Sequence, residues 1–307
     1  MNIILIILLT LFQEIPTLQD EIVLHEATNH LNIGRQTFVL EDKDGYYTIE
    51  AITKPFYQRR FIHSNQHILT FPPNNSFYWV KFNIRSATEK KFIIFIDEAK
   101  FKSIDLYYKV GTSTSWKVIK NGYSIPQDQK AIIHNFQAFP IDLLKGTTGE
   151  FYLRIQPRLL SLPISIESQT NFFQIKDSRY NLILGLVLGI IFFIGINNLG
   201  LFFSFGGPIR LLYFFTSFSF VLYSVLFNGH IFFASTFIYQ NLLRFVIPLS
   251  FVGQFLVVLY GVKFLQVKKY SNWLYLSTLF FLSVLTILTI TSLFTSEFYI
   301  VMCANIT

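Results

Sequence analysis

Two kinds of hydrophobic pattern divide this chain. From about residue 20 to residue 176, short apolar–polar alternations of strand length are separated by turn residues. Residues 37–40 and 46–50 flank Glu41-Asp42-Lys43-Asp44-Gly45, which predicts a hairpin closed by an Asp-Gly turn. Residues 77–85 place Val80, Phe82 and Ile84 on one face and Lys81, Asn83 and Arg85 on the other, so Tyr78 and Trp79 point to opposite faces. Residues 91–96 are almost continuously apolar, and residues 104–110 alternate again. Residues 131–136, 150–155 and 163–167 complete the set, and no helical stripe of useful length appears among them. Strands of this length and spacing predict an antiparallel β-sandwich over residues 20–176.

The pattern then changes. Thirty uncharged residues lie between Arg179 and Arg210, and further uncharged runs cover residues 211–229, 245–262 and 271–296. About 20 apolar residues make one membrane span, so residues 180–307 predict a helical bundle of four spans and the start of a fifth at Phe298. At the other end, Ile3 to Phe12 is too short to span and has the length of a signal-peptide h-region. No basic residue precedes it and no Ala-x-Ala follows. Residues 1–19 are read as a signal peptide because the polar half requires export.

Charge sharpens this division. The chain of 307 residues is 52% hydrophobic and only 14% charged, against about 25% charged in an average soluble domain. Residues 177–307 hold eight charged residues and a net +4, while residues 1–176 carry +3. The overall +7 is therefore spread along the chain, and nucleic-acid binding is excluded. Arg210, Lys263, Lys268 and Lys269 fall on one side of the predicted spans, which the positive-inside rule makes the cytoplasm. The sandwich then faces the opposite side. The single cysteine, Cys303, excludes a disulfide framework and a cysteine-ligated metal cluster.

Little in the chain carries chemistry. Asp42, Asp44 and Gly45 fit three positions of a calcium loop, but Leu40 and Ala51 occupy its first and last, so a turn is the better reading. His63 and His67 have an i,i+4 spacing but lie among strand-like residues. No nucleophile elbow, phosphate-binding loop or zinc-protease motif is present, and neither a catalytic residue nor a cofactor is expected. Aromatic residues are the candidates for binding. Trp79, Tyr107 and Trp116 are singled out as rings that stack on a flat ligand such as a sugar, weighed against plain core packing. In the spans, Asn197, Asn198 and Gln254 are the polar candidates, with interhelical hydrogen bonding as the simplest role. Gly185 and Gly189 form a Gly-x-x-x-Gly pair suited to close helix contact.

The order of parts resembles a bacterial family, the seven-transmembrane receptors with diverse intracellular signalling modules. Three stretches carry the resemblance. Residues 40–49 followed by 77–84 look like the family's extracellular sensor domain, whose jelly-roll is similar to carbohydrate-binding modules. Glu150-Phe-Tyr-Leu-Arg154 looks like its late strand. Gly185 to Gly189, Asn197 to Ser204, Tyr213 and Asn228-Gly229 look like the start of its seven-helix region. The resemblance implies a multi-pass protein of the bacterial inner membrane with a periplasmic N-terminal domain. It also implies a small extracytoplasmic ligand, a saccharide by analogy, and a cytoplasmic signalling module in cis or trans. The last apolar run, from Phe298, stops at Thr307 after ten residues, which predicts a piece of a longer receptor. The alternatives are a membrane-anchored binding protein without signalling output, or a transporter. The spans hold no mid-span acid or base, which weighs against the transporter.

Overall fold

The structure, a computed structural model, describes residues 21–72, 74, 76–98, 101–156, 161–230, 238, 241–242 and 245–294. The predicted signal peptide, the start of a fifth span and Cys303 lie outside these residues. The first half is built from thirteen strands in three sheets. Seven form the larger sheet: β1 (Glu21–Leu24), β3 (Phe38–Asp42), β4 (Ile62–His63), β6 (Phe77–Ser86), β8 (Ile104–Val110), β9 (Lys117–Asn121) and β11 (Thr148–Ile155). Its order is β4-β3-β6-β11-β8-β9. The ten-residue β6 is the axis. One edge pairs with β11, and the other pairs first with β3 and then, in parallel, with β1. A four-stranded sheet has the order β10-β7-β13-β2, from β10 (Gln137–Ile141), β7 (Phe92–Ile96), β13 (Ile164–Ser168) and β2 (His30–Asn32). β5 (Leu69–Thr70) and β12 (Ser161–Leu162) pair separately.

The sheets pack face to face, so residues 21–168 form a sandwich as the alternation predicts. Val80, Phe82, Ile84, Leu106, Phe151 and Leu153 of the large sheet meet Phe92, Ile94, Ile96, Phe139, Ile164 and Ile166 of the small one. Phe151 stacks between Phe82 and Tyr108 at 5.5 and 5.7 Å. Every residue of β7 and β13 is buried, because the small sheet is covered on both faces. That explains why residues 91–96 do not alternate.

Two expected strands are absent. The hairpin over 37–50 does not form. The Asp42 carboxylate accepts the backbone N–H groups of Gly45, Tyr46 and Tyr47 at 2.9–3.2 Å, taking the donors that a return strand would offer. Thr48 then caps a short helix, α1 (Ile49–Ile52), and α2 (Pro55–Gln58) follows with proline in its first turn. These two turns of helix lie in the half where none was expected. Residues 131–136 are a loop, and the strand starts only at Gln137. Here His134 Nδ1 accepts the Phe136 backbone N–H at 3.0 Å, a local bond that competes with ladder formation.

The second half holds α3 (Ser178–Phe205), α4 (Pro208–Phe227), α5 (Val246–Phe264), α6 (Val267–Tyr270) and α7 (Asn272–Phe294). A π-helix, Asn171–Asp177, leads into α3 without a break. Four of these helices are long and apolar enough to cross a membrane. They pack in chain order as α3–α4–α5–α7. Small residues sit at the contacts. A methyl group on Gly195 would come within 3.1 Å of Ser217, and one on Gly253 within 3.7 Å of Ser219. By contrast, Gly185 and Gly189 meet no neighbour and line an open groove on α3. The close approach expected there occurs one to two turns further on, at Gly195.

Lys130 supplies a test of the sandwich on its own. Burial pushes its ammonium down to about 8. The folded pKa lies below the unfolded value, so the unfolded chain binds more protons between pH 8 and 10 and stability rises with pH there. Urea unfolding of residues 20–176 should show a cooperative, strand-rich domain whose stability, relative to its Lys130→Met variant, grows from pH 7.5 to 9.5. A pH-independent difference between the two would contradict a buried ammonium.

Candidate functional site

The outer face of the large sheet brings aromatic, cationic and acidic side chains together. Odd-numbered β6 positions and even-numbered β11 positions point outward, and the register sets them in rows. One row runs Leu40–Trp79–Arg154–Asp105, and the next runs Phe38–Lys81–Tyr152–Tyr107. The segment that should have been the hairpin's second strand lies over this face instead. Ile49 and Ile52 of α1 pack on Leu40, Trp79 and Tyr152, with Tyr47, Tyr57, Phe61, Tyr107 and Trp116 around them.

The three ring residues singled out from sequence therefore do meet in one cluster, but with different exposure. Trp79 is fully buried and tilts against Tyr107 at 5.4 Å. It forms the floor and cannot itself be an exposed stacking platform. Tyr107 and Trp116 are partly exposed. Trp116 stands edge-on to Tyr152 at 5.5 Å, and Phe61 does so at 6.0 Å. Tyr57 and Phe61 had no signal of their own in the sequence. Tyr152 could have been found from alternation, since it shares the outward parity of Arg154.

Polar contacts pin the insert to the sheet. Gln58 donates from Nε2 to the Ile52 carbonyl at 2.7 Å and to the Tyr152 hydroxyl at 2.9 Å, while its Oε1 accepts from Lys81 Nζ at 2.6 Å. The Tyr152 hydroxyl donates to Glu150 at 2.7 Å, and Lys81 lies 3.4 Å from the same carboxylate. Burial, with the Glu150 charge beside it, raises the Tyr152 phenol far above its usual range, so it remains a donor at physiological pH. Arg154 donates to the Gly45 carbonyl at 2.7 Å and lies over Phe77 at 4.6 Å. Gly45 has φ +72°, where a side chain would also strike the Phe77 ring. Burial raises the Asp105 carboxyl, and Lys120 and Arg154 oppose that shift. Among the described residues no three histidine, cysteine or acidic groups gather as for a metal ion, and His63 packs edge-on against Phe38.

A second arrangement joins the sandwich to the membrane helices. Phe172 of the π-helix is buried beneath the small sheet with Ile93, Phe95 and Ala138, and Ile132, Phe136 and His134 pack around it. Glu167, also fully buried, bonds His30 at 2.7 Å and accepts from Asn171 at 2.9 Å. Asn135, from the loop that was expected to be a strand, donates to the Asn228 carbonyl at 2.8 Å. Tyr180 of α3 bonds Asn228 Oδ1 at 2.8 Å, and Asn228 Nδ2 donates to the Ser224 carbonyl of α4. The sandwich thus touches the start of α3 and the end of α4, while Arg210 lies at the opposite end of both. Of the polar residues picked in the spans, Asn198 bonds its own helix at Ile194 rather than a neighbour, and Asn197 and Gln254 lie on outer helix surfaces.

A β-sandwich followed by helices fit to cross a bilayer defines a membrane protein with a folded domain outside the helices. Residues 34–168 match the family model described as 7TMR-DISM extracellular 2, and this stretch of the chain is a domain of that family, followed by apolar helices. No curated protein matches the chain. The family's domain is an extracellular one, which puts the sandwich outside the membrane in agreement with the charge on the far helix ends.

Gln58→Ala should remove the staple between insert and sheet, leaving the buried Tyr152 hydroxyl with one partner fewer at a cost of about 1–3 kcal/mol. Hydrogen exchange is expected to accelerate in residues 47–61 while β6 and β11 keep their protection. Equal acceleration across the sheet would mean that the insert and sheet are one cooperative unit.

Proposed function

We propose that this chain is the sensing part of a receptor in a bacterial inner membrane. Residues 1–19 direct export, residues 20–176 bind a small periplasmic ligand, and residues 180–307 form a transmembrane helical region. A cytoplasmic module, in cis or trans, reads the helices. The ligand, a saccharide by the carbohydrate-binding analogy of the fold, lies across Tyr107 and Trp116 with Trp79 beneath them.

One observation carries this reading. The sandwich is tied to two membrane helices, covalently to α3 and by Asn135 to the end of α4. An anchor needs only the first tie. A relay needs a second, because a signal consists of one helix changing its relation to another. Asn228 meets both demands, since it accepts bonds from the sandwich and from α3 and itself closes the last turn of α4.

Two experiments test this. Alkaline phosphatase fused after residue 176 should be active and a fluorescent protein fused at residue 268 should fold in the cytoplasm; inactive phosphatase in a stable fusion would reverse the topology. For the relay, spin labels at Ser204→Cys and Lys263→Cys in a Cys303→Ser background report the cytoplasmic ends of α3 and α5 in nanodiscs. Asn135→Ala, a change in the sandwich alone, is expected to shift or broaden that distance distribution. An unchanged distribution would leave a passive anchor as the better description.

A further inference from the structure

The sequence and fold analogy leave the ligand class open between neutral and charged sugars. The outer face of the large sheet bears on that choice, and the inference rests on that face being the ligand site. Its rings form a strip, from Tyr47 and Tyr57, 4.8 Å apart, through Phe61 and Tyr152 to Trp116. Partly exposed rings over a buried aromatic floor suit the apolar C–H faces of pyranose rings.

Cations stand on these rings. Lys109 Nζ lies 4.2 Å from the Trp116 centroid at one end of the strip. Arg60 lies 5.9 Å from both Phe56 and Tyr57 at the other end. In the middle, Lys81 lies 5.7 Å from Tyr152. The acids on the same face are Glu21, Asp42, Glu50, Asp105 and Glu150; Asp42 is taken up by the backbone donors of residues 45–47, and Glu21 accepts from the Thr148 hydroxyl. Glu150 is taken up by Lys81 and the Tyr152 hydroxyl. Asp105 feels Lys120 and Arg154. Glu50 is exposed in the first turn of α1.

Lys109 is the informative residue. It sits directly opposite Glu150 in the β8–β11 register, where a cross-strand ion pair is expected. The carboxylate turns to Lys81 instead, and the Lys109 ammonium lies on Trp116. A cation held on a ring keeps its attraction for an anion that comes to the same surface. Arg60 makes one long bond, 3.4 Å, to the Tyr47 hydroxyl and no ion pair among the described residues. The two ends of the aromatic strip are thus cationic groups without a counter-ion.

We propose that this face takes an acidic saccharide, its sugar rings on Tyr57, Phe61 and Trp116 and its acid groups on Lys109 and Arg60. A neutral sugar would use the rings and leave both cations idle. Binding to such a ligand is expected to weaken with salt, because both cations lie at the solvent-facing rim.

The full chain in nanodiscs tests this by calorimetric titration with four probes: trigalacturonate, its methyl ester, hexaglutamate and a short oligothymidylate. Trigalacturonate should bind, with affinity falling between 50 and 500 mM salt. The methyl ester should bind about tenfold more weakly or less, and Lys109→Gln or Arg60→Gln should each weaken trigalacturonate by about tenfold, the equivalent of about 1.4 kcal/mol. Lys109→Arg should retain binding, and Lys145→Gln, on the exposed loop before β11, should not alter it. Thermal melting confirms that each variant is folded. Equal binding of acid and ester, or variants without effect, would overturn the charge assignment while keeping a sugar site on this face. Binding of hexaglutamate or oligothymidylate in preference to the saccharide would overturn it in favour of a protein or nucleic-acid partner. No binding by any probe would overturn it too, whereas the relay is judged separately by the Asn135→Ala distances.

Discussion

The two central strands of the small sheet, β7 and β13, have no solvent face, and much of the molecule follows from that. The inner positions of β7, Phe92, Ile94 and Ile96, belong to the sandwich core. Its outer positions, Ile93 and Phe95, would expose two large side chains if nothing covered them. The segment leading to the membrane supplies that cover through Phe172, with His134 and Phe136 closing the flank. Burying side chains of this size stabilises by about 1.5–3 kcal/mol each. The linker is therefore held to the sandwich by the same effect that builds the core. Glu167 adds direction, since a fully buried carboxylate must be bonded, and Asn171 at the head of the linker is one of its donors. Once the linker is fixed, α3 enters the membrane at a set position and Tyr180 comes to Asn228.

This double burial also decides what was legible in the sequence. Alternation works where one face of a strand is wet, and β6, β8 and β11 were all visible for that reason. Residues 91–96 read as an apolar run, correctly as a strand, but the run gave no hint of what lay on its second face. The two misplaced strands have a different cause. Residues 46–50 have good strand composition, and the Asp42 side chain outweighs it by binding three successive backbone donors. In residues 131–136, Ile132 and Phe136 pack on the linker rather than into a ladder, and Ile133 is exposed. In both places a side-chain-to-backbone bond or a distant packing partner overrode local propensity. Short strands such as β1 and β9 carried too little pattern to separate them from loops.

The candidate site was legible in type and not in depth. Parity sets Trp79 on the face of Lys81, Asn83 and Arg85. It could not reveal that α1 would settle over Trp79 and bury it, because α1 exists only through the failed hairpin. Tyr57 and Phe61 reach the site on that same insert. The insert changes the face from a bare sheet with aromatic residues to a strip of rings with a buried floor. Gln58 ties the two together through two hydrogen bonds to the sheet and a third to Ile52 within the insert, so the shape of the strip depends on one amide.

The helices complete this argument. α3, α4, α5 and α7 touch in chain order, each against its neighbour, through small residues such as Gly195 and Ser217. In lipid no hydrophobic force pulls such helices together, so their relative positions rest on close packing and on a few polar contacts. The polar contacts that bridge elements here are at the sandwich end, around Asn228. On the receptor reading, that concentration matters more than any residue within the spans. Ligand binding at the far face changes nothing below unless it favours one sandwich arrangement over another. Among the described residues, any such preference reaches the helices through the linker under the small sheet, through Asn135, and through Phe136 against Tyr180. On that reading the coupling is reciprocal, so whatever fixes α3 against α4 would also bias the sandwich.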